Sequence, residues 1–254
     1  MVFVFLFILG ISIGSFLNVL IDRLPKNESI NGRSHCDNCK KTLSWADLIP
    51  LLSFFLLKGK CKYCRSHLSY QYPLVEFLTG VLFVFTIYYL PITNLSTNYL
   101  ISSIYYLTIV SSLVVVFFTD LKYGIILDKV TFPLVFTVFL WLLFQDITSL
   151  PEHLLSAVGS FIFFLLIFLL TRGKGMGLGD VKFSFVLGLT LGISGTILAL
   201  YIAFLTGGII GFILIIWKKK NLKTAVPFGP FLVVGFLISL FFSEQIAQYF
   251  LALI

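Results

Sequence analysis

Long apolar runs separated by short polar segments dominate this sequence of 254 residues. Roughly 20 apolar residues in a helix cross the hydrocarbon core of a bilayer, which is ~30 Å thick. We therefore expect an all-α polytopic membrane protein with about eight transmembrane helices. They are predicted at residues 1–21, 72–91, 98–118, 131–148, 153–171, 182–195, 197–217 and 229–252. Only Gly192–Gly195 separates the sixth from the seventh, so a single long helix, giving seven spans, is the alternative.

The composition agrees with a chain that is dissolved in lipid. Hydrophobic residues make up 59% of it and charged residues only 11%, against about 45–50% and about 25% in soluble domains. A soluble fold of this size could not bury so much apolar surface. Residues 1–21 lack the basic start and the small-residue cleavage site of a signal peptide, so we expect a retained transmembrane helix there.

The basic residues indicate the topology. With the N-terminus outside and eight spans, all 18 Lys and Arg residues fall in loops on one side of the membrane. The positive-inside rule makes that side cytoplasmic and leaves both termini outside. A seven-span chain would put the three lysines at 218–220 on the opposite side, which favours eight spans. The formal net charge of +7 follows from this topology and needs no nucleic-acid partner. The cytoplasmic loops are then 22–71, 119–130, 171–182 and 218–228.

The loop at residues 22–71 holds all four cysteines, as "CDNC" and "CKYC". Cys36 and Cys39 are followed after 21 residues by Cys61 and Cys64, a spacing typical of a tetrahedral four-cysteine Zn²⁺ site. A disulfide pair or a redox CxxC is the alternative, and a reducing cytoplasm disfavours structural disulfides. The apolar segment between the pairs, 46–57, is too short to span and is expected at the membrane interface or on the membrane domain.

Two aspartates stand at the cytoplasmic ends of predicted spans. Asp120 ends the third span and Asp180 opens the sixth, so the two carboxylates could meet at one depth. A close pair of carboxyl groups shares a proton, and one can act as an acid while the other acts as a base on water. The alternative is that each aspartate only caps its helix or anchors it at the interface. The matched depth favours a catalytic pair of the aspartic-protease kind.

Glycines alternate just before Asp180, in "RGKGMGLGDVKF". A backbone without side chains can be approached closely by another main chain, so Gly177 and Gly179 are expected to bind an extended peptide substrate. A phosphate-binding loop is disfavoured because no strand precedes the segment and no Gly-Lys-Ser/Thr ends it. Lys122 and Lys182 lie two residues after the aspartates, point away from them on a helix, and are interpreted as inner-face anchors or lipid contacts.

Several stretches together resemble the bifunctional type IV prepilin peptidases, which combine a GxGD aspartic membrane protease with an N-methyltransferase. The resemblance covers nearly the whole chain, and one departure is Leu127-Asp128, where many members have Pro-Asp. It rests on "GSFLNVLIDRLP" at 14–25, the cysteine loop, "YPLVEFLTG" at 72–80, "TDLKYGIILD" at 119–128, "GMGLGDVKF" at 175–183 and "PFGPFL" at 227–232.

The resemblance implies a function and a place in the cell. Asp120 and Asp180 fall on the two catalytic positions. The substrates would be prepilins or pseudopilins, cut after a glycine at the cytoplasmic face of the bacterial cytoplasmic membrane. The new N-terminal residue, usually Phe, would then be methylated with S-adenosylmethionine. Four further residues match family motifs and are candidates for a methyltransferase or a structural role: Gly14, Asn18, Arg23 and Glu76.

The predicted domains are a first transmembrane helix at 1–21, a methyltransferase-associated zinc loop at 22–71 and a membrane-embedded peptidase at 72–254. No Rossmann-type fingerprint indicates where the methyl donor binds. Two other functions stay open at this point. One is a presenilin-like protease that cuts within a membrane helix, and the other is a transporter with a zinc-ribbon loop. The sequence predicts neither the particular pilin nor the oligomeric state.

Overall fold

The structure is a computed structural model that describes residues 1–36, 38–89, 97–216 and 226–252. The described residues are α-helical and contain two isolated β-bridges instead of strands, which confirms the all-α prediction. The α-helices are α1 (Val2–Arg23), α2 (Leu52–Leu56), α3 (Gln71–Tyr89), α4 (Thr97–Tyr123), α5 (Asp128–Gln145), α6 (Leu150–Leu170), α7 (Leu178–Ile216) and α8 (Gly229–Ala252).

Six of the described helices are long and apolar enough to cross a membrane, namely α1 and α3 to α7, and α8 contains a shorter apolar stretch, Gly229–Ser243. Each predicted span overlaps one of these helices, and the sixth and seventh predicted spans both fall in α7. The predicted connections at 92–97 and 218–228 lie largely outside the described residues, and the lysines at 218–220 lie wholly outside them. The apolar segment 46–57 is divided between a 3-10 helix, Trp45–Leu48, and α2, so it is not a span.

A kink at Gly192 divides α7. Its 39 residues would reach about 58 Å as a straight helix, roughly twice the hydrocarbon core. Gly192 has φ 66° and ψ −172°, a conformation that side chains forbid. Two side chains of α6 pair with the backbone groups at the kink. Ser156 donates to the Gly192 carbonyl at 2.9 Å, and the Ile193 amide donates to Glu152 at 3.4 Å. The predicted break near Gly192–Gly195 is confirmed.

The chain divides into two compact units, Met1–Val115 and Val116–Ile254. In the first unit, α1 packs closely against α3. A Cβ on Gly10 would lie 2.7 Å from the Cα of Gly80, and one on Gly14 would lie 2.8 Å from the Cα of Glu76. Small residues permit this approach, and close packing drives association where lipid removes the hydrophobic difference between helix and solvent. Gly14 therefore has a packing role.

In the second unit, α7 packs against α5, α6 and α8. A Cβ on Gly188 would lie 2.6 Å from the Cα of Ala157, so α6 and α7 touch through their backbones. Buried hydroxyl groups join the same helices. Ser160 donates to the Ser184 carbonyl at 2.8 Å, and Ser239 of α8 donates to the Gly195 carbonyl at 2.7 Å. This packing fixes the position of the N-terminal end of α7, where Asp180 lies.

Candidate active site and metal site

Asp120 lies in the last turn of α4, which ends where Gly124 (φ 67°) donates its amide to the Asp120 carbonyl at 2.8 Å. A negative charge is unfavourable at the C-terminal end of its own helix. Only 5% of the residue is exposed. Its Oδ2 accepts the amide of Gly229, the first residue of α8, at 2.8 Å. The N-terminal end of α8 thus supplies the positive partial charge that α4 cannot.

Asp180 is the third residue of α7, and 8% of it is exposed. Its Oδ2 accepts the amide of Gly177 at 3.1 Å, one half of a capping box. The other oxygen, Oδ1, is buried, and no described residue donates a hydrogen bond to it. Helix capping therefore uses only one of the two oxygen atoms of this carboxylate. A buried acceptor without a protein donor is rare in native structures.

The structure brings Asp120 and Asp180 together, and both belong to the second unit. The segment that follows Asp120 reaches the start of α7, where a Cβ on Gly179 would lie 3.0 Å from the Cβ of Ile126. The expectation that the ends of α4 and α7 meet agrees with this placement. The two aspartates combine buried carboxylates, one backbone donor each and one unoccupied acceptor. This arrangement is suited to binding and polarising a water molecule.

Gly177 and Gly179, which precede Asp180 in the chain, make different contacts. Gly177 supplies an amide to Asp180, whereas a Cβ on Gly179 would lie 3.0 Å from the Cβ of Ile126. Gly179 therefore lets the start of α7 approach the segment that follows Asp120. Sequence reasoning missed Gly229, at which a Cβ would lie 2.6 Å from Oδ2 of Asp120. Its only signal was the glycine of "PFGPFL" before a helix-starting proline.

Lys182 corrects an expectation. We expected an inner-face anchor or a lipid contact, but its Nζ lies 2.8 Å from both carboxylate oxygens of Asp128. Asp128 is the first residue of α5, where the helix dipole favours a negative charge. The same ammonium group lies 5.8 Å from the ring centre of Phe132. The ion pair joins the starts of α5 and α7 beside the two aspartates.

The four cysteines come together in the first unit, and all are free thiols. Their sulfur atoms all lie within 4.8 Å of one another, and the Cys36 and Cys64 sulfurs are 3.8 Å apart. Sulfurs bound tetrahedrally at ~2.3 Å from one zinc ion are separated by about 3.8 Å. The four cysteines can therefore hold a metal ion.

Each cysteine pair is part of the same kind of turn. The amide of Cys36 donates to the Lys41 carbonyl at 3.0 Å, and the amide of Cys61 donates to the Ser66 carbonyl at 2.8 Å. Lys40 and Arg65, each four residues after the first cysteine of a pair, both have φ 56°. Bridges between His35 and Thr42 and between Lys60 and His67 close the turns. The two histidines thus belong to the turns and are not needed as ligands.

Hydrogen bonds favour the metal-binding thiolate form of two cysteines, whereas desolvation and the neighbouring Cys64 and Cys36 raise the pKa of Cys39 to about 11. A hydrogen bond from the backbone of Cys39 lowers the pKa of Cys36. The Ser66 hydroxyl group lowers the pKa of Cys64 to about 6. Thiolates, not thiols, are metal ligands, so lower pKa values favour binding at neutral pH.

The other motif residues surround the cysteine loop. Asn18 donates to the Tyr72 carbonyl at 3.1 Å, and Glu76 accepts the amide of Leu51 at 2.8 Å. Arg23 donates to a run of loop carbonyl groups at 3.1–3.4 Å, those of Ser29, Ile30, Asn31 and Arg33. Arg23 of α1 and Glu76 of α3 thus attach the loop to both helices, and Asn18 joins α1 to the start of α3.

Two family models match the parts of the chain that contain these two sites. The family model described as Bacterial Peptidase A24 N-terminal domain matches residues 8–90, and that described as Type IV leader peptidase family matches 107–212. The first match contains the cysteine loop, and the second contains both aspartates. No solved structure matches the chain significantly.

Three relatives named "Prepilin leader peptidase/N-methyltransferase" match almost end to end. That of Bacillus subtilis (strain 168) is 30% identical over 97% of this chain and 96% of its own length. That of Aeromonas salmonicida (strain A449) is 30% identical over 99% and 94%. That of Legionella pneumophila is 30% identical over 95% and 92%. The chain therefore belongs to the type IV prepilin leader peptidase family.

Proposed function

We propose that this protein cleaves the basic leader peptide of type IV prepilins and pseudopilins after a glycine and then methylates the new N-terminal residue. Membership of the family supports both activities and disfavours the alternative that the protein is a transporter. The observation that carries the peptidase half is the pair Asp120 and Asp180, buried together and each held by a glycine amide. The cysteine loop favours this reading over a presenilin-like protease.

The proposed mechanism is general acid–base catalysis by the pair. Two carboxyl groups at close range hold one proton between them, so one is an acid and the other is a base. A water molecule beside Oδ1 of Asp180 loses a proton to the ionised carboxylate and attacks the glycine carbonyl carbon. The protonated carboxyl group gives its proton to the carbonyl oxygen. The resulting gem-diol collapses when the departing amine nitrogen is protonated and the C–N bond breaks.

The substrate would approach from the cytoplasmic face of the bacterial cytoplasmic membrane. The distribution of Lys and Arg along the chain supports this orientation. The apolar stem of the prepilin would stay in the lipid bilayer while its leader reaches the segment with Gly177 and Gly179. We propose that this segment holds the extended scissile peptide beside the two aspartates.

We propose that the ion of the cysteine site is a structural Zn²⁺. Four cysteine sulfur atoms within 4.8 Å of one another suit zinc, and a site of four cysteines leaves no open position for catalysis. The ion would fix the two turns of the loop relative to each other. We assign the loop to the methyltransferase half, for which S-adenosylmethionine is the proposed methyl donor.

Replacing either aspartate should abolish cleavage. In Asp120→Asn or Asp180→Asn one member of the acid–base pair is lost, so the cleavage rate should fall at least about a hundredfold. The measurement is release of the leader from purified prepilin in detergent, read by mass spectrometry. Asp146→Asn, an equivalent change at the exposed start of the α5–α6 connection, is the control and should cleave normally. A normal rate for either active-site variant would refute the pair.

Gly229→Ala should also slow cleavage. Its Cβ would push against Oδ2 of Asp120, and a displacement of ~1 Å at a reacting group costs about a hundredfold in rate. Gly208→Ala, where the added methyl group meets open space, is the matched control. Both variants are compared with the unchanged protein by cleavage rate and by midpoint of thermal unfolding. Equal cleavage by the two folded variants would show that the Gly229 contact is unimportant.

Removing two cysteines should release the metal. The unchanged protein should contain about one zinc ion per chain, and the double variant Cys36→Ser, Cys61→Ser should contain none, because two ligands cannot hold a structural zinc. Metal content is measured by mass spectrometry after dialysis. We also expect reduced methylation of a pre-cleaved prepilin. Unchanged zinc content together with full methylation would contradict the site.

A further inference from the structure

A cavity of about 190 Å³ lies in the first unit between α1, the cysteine loop and the start of α3. It is larger than an engineered cavity of about 150 Å³ that takes up benzene. Its lining contains none of the residues assigned to cleavage. It includes three of the motif residues that had no firm role, Asn18, Arg23 and Glu76.

The buried part of the cavity presents hydrogen-bond acceptors. Asn18 is 4% exposed, and its amide nitrogen is committed to the Tyr72 carbonyl, which turns the other amide atom, Oδ1, away from that carbonyl. Oδ1 is buried, and no described residue donates to it. Glu76 is 7% exposed, and no Lys or Arg of the described residues forms an ion pair with it. Such acceptors favour a ligand that brings hydrogen-bond donors or a positive charge.

The rest of the lining suits the other parts of such a ligand. Phe54 and Tyr72 provide aromatic surface, and Leu57 and Leu68 provide aliphatic surface for a flat ring. Exposed Lys26 and Glu28 stand at the rim. A ligand with a cationic centre, several hydroxyl or amine donors, a carboxylate and a heteroaromatic ring matches this distribution.

We infer that this cavity is the binding site for S-adenosylmethionine. The inference rests on the methyltransferase half of the proposed function. The sulfonium and ammonium groups and the ribose hydroxyl groups match the acceptors of Asn18 and Glu76, and the adenine ring matches the aromatic and aliphatic part. When bound, the molecule supplies the methyl group that the free amine of the cleaved substrate takes up, with release of S-adenosylhomocysteine and a proton.

The position of the metal site gives an independent reason. Cys36 and Cys61 form part of the cavity lining, so the turns that hold the metal also form one wall. Glu76 links the opposite side to the loop through the Leu51 amide, where Leu51 has φ 60°. Loss of the metal would therefore remove a wall of the cavity. A binding site there connects the cysteine loop with methylation physically.

The test measures binding apart from catalysis. The full-length, zinc-loaded protein in detergent is titrated with S-adenosylmethionine by calorimetry, and the same is done for Asn18→Ala and Glu76→Gln. Asn18→Ala removes a hydrogen-bond acceptor. Glu76→Gln removes the negative charge but keeps an oxygen for the Leu51 amide. We expect Kd to rise at least about tenfold in both, the effect of losing a hydrogen bond to a charged group. Glu152→Gln in the other unit is the control and should bind normally.

Photolabelling supplies a second readout. Ultraviolet irradiation with radiolabelled S-adenosylmethionine should label peptides that contain Phe54 or Tyr72, and cleavage of prepilin by the variants should stay near normal. Unchanged affinity in both variants, or label confined to residues 116–252, would overturn this assignment and leave the proposed function standing. If the unchanged protein cleaves prepilin but binds no S-adenosylmethionine, the methyltransferase half of the proposed function fails and this inference fails with it.

Discussion

A carboxylate buried at the end of a membrane helix must find a hydrogen-bond donor within the protein, because burial removes it from bulk water. Asp120 stands at the C-terminal end of α4, where its charge is least favourable, and the amide of Gly229 at the start of α8 compensates it. Asp180 is held in turn by Gly177. Both donors are glycines, and the absence of a side chain lets their backbone amides come this close to the carboxylates. The convergence of three helix ends on the candidate active site of the second unit follows from this need.

The first unit has a different constraint, because its polar loop must be attached to two apolar helices. Arg23 binds successive carbonyl groups after α1, and Glu76 binds the Leu51 amide in the middle of the loop. The two cysteine turns are then positioned for one metal ion. The family motifs thus combine packing glycines, polar attachments and metal-binding turns. The same attachments leave the cavity in which we propose that S-adenosylmethionine binds.

Much of this could be predicted from the sequence, because lipid imposes simple rules. Length and apolarity gave the helices, spacing gave the four-cysteine cluster, and helix ends gave the meeting of Asp120 and Asp180. The contact of Gly229 with Asp120 was not predicted, because 109 residues separate the two and a backbone amide donor leaves no pattern in the sequence. The pairing of Lys182 with Asp128 was not predicted, because the spacing of residues along α7 shows only which side chains of α7 are neighbours. Asp128 belongs to another helix, α5. The kink at Gly192 could be placed only to within a few residues, since apolar runs flank it on both sides.

The central claim is that Asp120 and Asp180 act as one unit with a single proton. The dependence of kcat/KM for prepilin cleavage on pH tests it most directly, in a pH range where the protein stays folded. One protonated and one ionised carboxyl group predict a bell-shaped curve, because activity is lost when both are protonated and again when both are ionised. A rate that rises to a plateau and stays there as the pH increases would mean that one ionised carboxylate suffices, and it would contradict the shared-proton pair.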